Sequence, residues 1–501
     1  MEAATFHLAR DSAGRANWQL TEPGRSDNTD LPIIRVLSIP NAHFLLDDDL
    51  RHLKFDGTVS AEDDSATGGL PSLRLAGRGQ LNGREASFEI TGDPLATASH
   101  KQPYHFAFDE RSSGSRLTGH GYLERPFDFD LFDTTFDVAG TDLKDLYFLT
   151  GVTLLNTGIY RLSGKLARRG TKSKFSDLAL SSGQSDVKGA VSIDSSSGRP
   201  KFVIDLNSQT LRMSDLGERA AARISKSATS APLLLSDSMF DPGTLRRGDA
   251  VVTFRAHRVD VGLVSLQEIS AKATLDHGIL AVAPLSGDVL EGKLVAYVRL
   301  DARPEVPAAD VNLKIADLQL AQVNRKNSSQ PPVEGPLQVQ VMITGRGRSI
   351  HQVAASANGT ATAALPRGAI RAALAELTGV DLRGLGLLIS KSTQEVAIRC
   401  AVARFEAHEG TLTAQTLVVD TDPVLITGEG VIHLDSEGLD LALRGHPKSL
   451  RLFRLRSTVS VQGTLAHPSV NILGGKSVLV PIDPGRAKDA DCTALLAAAT
   501  E

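Results

Sequence analysis

Gly475-Lys476-Ser477 spells the end of a phosphate-binding loop. The glycine that should open such a loop falls at Val470, and no strand–loop–helix pattern surrounds it. Ser185 and Lys188 have the spacing of a serine–lysine nucleophile pair, but they precede a strand pattern rather than start a helix. His408-Glu409 runs into Gly410 and lacks the second histidine, one turn on, that a helical zinc site needs. Gly77-Arg78-Gly79 lies inside an alternating stretch and opens no helix, so it is no dinucleotide fingerprint. Asp47-Asp48-Asp49 lacks the spaced ligands and the glycine of a calcium loop and reads as a solvated turn. The 13 histidines are scattered, and 58 carboxylates in 501 residues produce acid pairs by accident. These residues predict no catalytic centre, no metal site and no cofactor, and hence a protein that is not an enzyme.

Cysteine chemistry is left open at this level. Cys400 closes a strand-like run from Val396, and Cys492 lies in a short tail with no other evident reason to stay docked. A bridge would close a loop of roughly 90 residues and could stabilise by ~4 kcal/mol in the chain-entropy model. Two unrelated free thiols fit the sequence equally, and an oxidising compartment would decide for the bridge.

Composition bounds the partners. The net charge is −4, against 54 basic and 58 acidic side chains. That balance offers no electrostatic footprint for nucleic acid or an anionic membrane surface. No stretch approaches the ~20 apolar residues that span a bilayer. Met1-Glu2 runs straight into strand-like sequence at Thr5 to Ala9, with no signal-peptide pattern.

What positions the side chains is a strand pattern of period two. Tyr104, Phe106 and Phe108 share a face, as do Phe127, Phe129 and Leu131. The same holds for Phe202, Ile204 and Leu206; for Leu294, Ala296, Val298 and Leu300; for Val311, Leu313 and Ile315; and for Leu337, Val339, Val341 and Ile343. Successive strand side chains point to opposite faces, so each segment has one apolar and one wetter face. The fold class expected is mainly β: a long twisted antiparallel sheet of repeated hairpin units curled into an apolar groove, with a few short helices. The apolar face must be covered by protein or by a hydrophobic ligand. The candidate lining residues are Phe202, Ile204, Leu206, Val298, Val311, Leu313, Ile315, Leu337, Val339, Val341 and Ile343.

Helical spacing appears over Asp142 to Thr150, from Ser214-Asp215 through Ala222, and most clearly over Ala369 to Leu377. Ser225 to Pro242 reads as loop. Asn324 to Gly335, with Pro331 and Pro332, is polar and is the clearest internal boundary. The expected regions are 1–140, the N-terminal part of the groove; 141–322, central repeats with short helices; 323–335, a polar loop; 336–480, a C-terminal β region; and 481–501, a tail. A loose repeat of strand, turn and strand ends each time in an Asp-Leu step, at Asp142-Leu143, Asp215-Leu216 and Asp317-Leu318.

The C-terminal third carries a recognisable set of segments: Ile398 to Phe405, Gly410 to Thr413, Leu417-Val418-Val419-Asp420-Thr421, Leu425 to Gly430, Leu439 to Leu441, Val459 to Leu465 and Pro468 to Val470. This resembles the C-terminal region of the bacterial AsmA family. Thr157 to Leu166 resembles that family's mid-chain motif, and Gly14-Arg15-Ala16-Asn17-Trp18 a segment that normally lies well after its N-terminus. The resemblance implies a periplasmic protein, normally anchored in the inner membrane by an N-terminal helix that the present residues lack. In that compartment Cys400 and Cys492 are expected to pair. Similarity to bridge-like lipid-transfer proteins implies a phospholipid or other acyl lipid moving along the apolar groove, with partners at the inner and outer membranes. The alternative is a non-catalytic scaffold or assembly factor affecting outer-membrane protein biogenesis.

Overall fold

Alternation of this kind leaves the backbone one way to satisfy its N–H and C=O groups, by pairing neighbours edge to edge. The computed structural model describes residues 4–12, 15–17, 39–49, 53–64, 72–94, 102–112, 114–125, 128–146, 156–216, 234–237, 239–262, 264–323, 333–371, 395–449, 451–456, 459–471, 478–483 and 487–500. They fall into two compact units, Met1–Ser227 and Ala228–Glu501, and both are mainly β.

The first unit contains β1 Ala4–Arg10, β2 Ile39–Asp48, β3 Leu53–Asp64, β4 Ser72–Leu81, β5 Arg84–Gly92, β6 Tyr104–Ser112, β7 Ser115–Leu123, β8 Leu131–Gly140, β9 Tyr160–Arg169, β10 Lys172–Ser182, β11 Ser185–Asp194 and β12 Lys201–Arg212. From β2 onward each strand pairs antiparallel with the next. β1 lies parallel to β2, an exception to the expected all-antiparallel order. Phe129 sits in the turn before β8 and is 68% exposed, so the Phe127–Leu131 alternation does not extend β8 toward its N-terminus. Asp128 and Asp130 there hydrogen-bond within the turn, the local competition that short acidic side chains offer a strand.

The glycines of this unit have a packing reason. A Cβ on Gly77 would stand 2.4 Å from the Phe88 ring, and one on Gly140 would stand 2.8 Å from that of Tyr160. Each ring comes from the directly opposite residue of the next strand. Aromatic side chains thus lie across glycine backbone, which fills the gap a missing side chain leaves. Around Tyr160 gather the buried Phe136, Val138, Leu143 and Leu146.

The second unit contains α1 Pro242–Arg246, β13 Asp249–Asp260, β14 Ser265–Asp276, β15 Ile279–Val289, β16 Gly292–Asp301, β17 Ala308–Gln319, β18 Val333–Glu334, β19 Pro336–Arg346, α2 Ile350–Ala355, β20 Asn358–Leu365, β21 Gly368–Arg371, β22 Glu395–His408, β23 Thr411–Thr421, β24 Val424–His433, β25 Gly438–Pro447, β26 Arg451–Arg456, β27 Val459–Thr464, β28 Pro468–Asn471, β29 Val478–Asp483 and α3 Cys492–Thr500. The meander runs β13 to β17, then β19, β20, β22 to β25, β27 and β28, antiparallel throughout. β17 pairs directly with β19, so the polar 324–335 stretch does not interrupt the sheet.

Helical spacing gives way where pairing competes. Gly368–Arg371 is strand, held between β18 and β22, so Ala369 and Ile370 are not the start of a helix; the rest of the Ala369–Leu377 segment lies outside the described residues. The Asp142–Thr150 segment is a single 3-10 turn over Leu143–Leu146, and its remainder likewise lies outside. The segment expected from Ser214 through Ala222 begins in the 3-10 turn Met213–Asp215, and residues 217–222 lie outside the described residues. Pro242 begins α1, capped by the Asp241 carboxylate, which accepts from the Gly243 N–H.

The Asp-Leu steps recur for a reason. Asp142 accepts the N–H groups of Lys144 and Thr157, and Asp215 accepts the Gln184 N–H and the Ser185 hydroxyl. Asp317 instead takes the left-handed backbone (φ 57°) at a bulge in β17. A 3-10 turn, Leu320–Gln322, follows it.

Candidate functional site

Strand register decides which of the apolar residues meet. In the second unit Val252, Ala273, Val282, Val298, Val311, Ile343, Gly359 and Ala407 stand opposite one another on eight successive paired strands. The row continues through Leu412, Ile432 and Leu439. A second row runs Phe254, Ala271, Leu285, Ala296, Leu313, Val341, Ala361 and Phe405, and a third Leu294, Ile315, Val339, Ala363, Ala403 and Leu417. One face of this unit is therefore an uninterrupted apolar surface, with no charged residue in any of the three rows.

The candidate residues divide accordingly. Val298, Val311 and Ile343 fall in the first row, Leu313 and Val341 in the second, and Ile315 and Val339 in the third. Leu337 opposes Leu318 beyond the bulge in β17. All eight are half-buried. Leu313, Ile315 and Leu337 also pack against the buried Val289, Leu294 and Leu318, so they belong partly to the core. Phe202, Ile204 and Leu206 lie on β12 in the first unit, opposite Ile193, Val191 and Gly189, and are half-buried there.

A hollow of about 610 Å³ crosses the first row at Val282, Val298, Val311, Ile343 and Gly359, and is bordered on either side by residues of the other face, among them Tyr297, Arg299, Asp310 and Asn312. Its size is that of a small-ligand pocket. Sequence reasoning missed Val282 and Gly359: β15 is broken by a bulge, and glycine carries no apolar signal. Gly359 is required at its place, since its φ is 140° and a Cβ would lie 2.1 Å from the Met342 carbonyl oxygen.

The opposite face is treated differently. Cys400, fully buried in β22, is bonded to Cys492 at the start of α3. α3 lies on the sheet with Ala499 against Ala364 and Val402, flanked by Leu495 and Leu496. Arg404 donates to the Ala498 carbonyl at 2.8 Å. The residues before α3 are held by charge: Asp489 pairs with Lys448 and Arg399, and Asp420 accepts the Ala490 N–H. The tail thus has several reasons to stay docked besides the disulfide. Among the described residues no helix is long and apolar enough to cross a membrane.

The model of the AsmA family matches residues 142–417. The AsmA family protein YhjG of Escherichia coli (strain K12) is 25% identical over 425 residues, covering 80% of this chain and 62% of YhjG. The chain therefore spans less than two thirds of that relative's length. No solved structure matches it. With its family model covering more than half of its residues, the chain belongs to the AsmA family.

Proposed function

We propose that this protein carries phospholipid or another acyl lipid on the apolar face of its sheet and conducts it through the cell envelope between inner and outer membrane, without catalysis. The observation that carries this reading is the unbroken apolar row from Val252 to Ala407. Each methylene removed from water is worth ~0.8 kcal/mol, so a sixteen-carbon chain gains on the order of 12 kcal/mol by lying on such a surface. Desorption into water is slow for that reason. Sliding from row to row keeps the chain covered and needs no reactive group. Placement in the periplasm, attachment to the inner membrane and partners at both membranes belong to the same proposal.

The test is native mass spectrometry with lipid extraction on protein from an envelope fraction. Wild type is compared with Val311→Asp, which places a charge in the first apolar row, and Val298→Phe, which enlarges a side chain of that row. Circular dichroism confirms folding. Leu313 is a poorer choice because it also packs on Leu294 and Leu318. Phospholipid in the wild type, lost from both folded variants, is the expected result. Lipid in none of the three, with a protein partner retained, overturns the proposal in favour of a scaffold.

A further inference from the structure

A second hollow, of about 660 Å³, lies beside the end of α3 and shares Tyr297 and Asn312 with the first. Its floor is a register row, Val295, Lys314, Gln340 and Thr362, with Arg404 of β22 completing the row. Tyr297, 51% exposed, stands at one end with Asn312 opposite it, and Ala499 of the disulfide-tethered helix closes another side.

The chemistry of this lining is specific. Asn312, Gln338 and Gln340 offer amides that both donate and accept, and the Thr362 hydroxyl does the same. A sugar hydroxyl also does both, so amide and sugar match without leaving either unsatisfied. An exposed aromatic ring presents a flat apolar surface suited to the C–H face of a pyranose. Of the two lysines, Lys293 is paired with Asp288 at 2.6 Å. Lys314 has no ion-pair partner among the described residues, and no carboxylate lines the hollow. A compact ammonium held in this way attracts an anion as a point charge. We infer that this hollow binds an acidic saccharide, with the ring on Tyr297, hydroxyls on the amides and the sugar's anionic group at Lys314. The inference does not rest on the lipid reading.

Calorimetric titration of the full chain tests it. The probes are a tetrasaccharide of alternating glucuronic acid and N-acetylglucosamine, the neutral tetramer of N-acetylglucosamine, and sodium acetate. Lys314 and Tyr297 are both exposed, so Lys314→Gln and Tyr297→Ala should fold normally, as circular dichroism would verify. Expected are saturable binding of the acidic tetrasaccharide, about tenfold weaker in Lys314→Gln with loss of its advantage over the neutral one, and no binding of either in Tyr297→Ala. Lipid occupancy should be unchanged in Lys314→Gln, since Lys314 does not border the first hollow. Absence of binding to wild type, acetate binding as tightly as the tetrasaccharide, or variants indistinguishable from wild type would each overturn the inference.

Discussion

The Lys448 ammonium sits 2.5 Å from a carboxylate oxygen of Asp420, a residue with no exposed surface, and 2.7 Å from Asp489 just before α3. A chain whose other ion pairs are mostly solvated thus carries a buried charge cluster where its tail meets the sheet. Removing one partner strands the other in a low-dielectric site. Asp420→Ala should cost about 3 kcal/mol in urea unfolding, whereas a change at the exposed Arg444–Glu429 pair should cost under ~1 kcal/mol. Adding Lys448→Ala to Asp420→Ala should cost less than the sum of the single changes, which a double-mutant cycle would measure.

The Cys400–Cys492 bridge joins residues 92 apart in sequence. By the loop-entropy argument its removal should destabilise the second unit by about 2–4 kcal/mol. In Cys492→Ser, hydrogen exchange at the amides of α3 should accelerate, while those of β3 to β8 should not change. Equal acceleration in both units would contradict the local tether described above.

Tyr160 lies across Gly140, its hydroxyl 2.8 Å from where a Cβ would stand. Gly140→Val should force the ring off Phe136, Leu143 and Leu146 and cost roughly 1–3 kcal/mol, read from thermal or urea unfolding. Gly83→Ala offers open space but a positive φ, so its cost is backbone strain with no loss of packing.

Glu110 is a carboxyl within an otherwise apolar row of the first unit, between Phe88 and Leu117. Burial raises its pKa above the ordinary value; hydrogen bonding to Ser112 opposes this, and the neighbouring Asp109 charge adds to it. Because the folded state holds the proton more tightly than the unfolded chain, this contribution is complete in acid. It is lost as pH rises through the raised value. Glu110→Gln should therefore raise the melting temperature at pH 8 and change it little at pH 4. A larger gain at pH 4 than at pH 8 would contradict the assignment.

By itself the sequence determined the β class, the paired faces of each strand and the family, because alternation and short motifs are local properties. Leu294 to Leu300 and Leu337 to Ile343 show their period without any partner. Tertiary structure alone decided which alternating segments pair and in what register. It set Val298, Val311 and Ile343 in one row and Leu313 in another, sent Phe202, Ile204 and Leu206 to the first unit, and turned Ala369-Ile370 from helix spacing into strand. It also decided that α3 covers one face of the sheet through Cys400, Asp420 and Lys448. The physical reason is that period two assigns a side chain to a face but cannot say what lies against that face. That depends on contacts between residues tens to hundreds of positions apart.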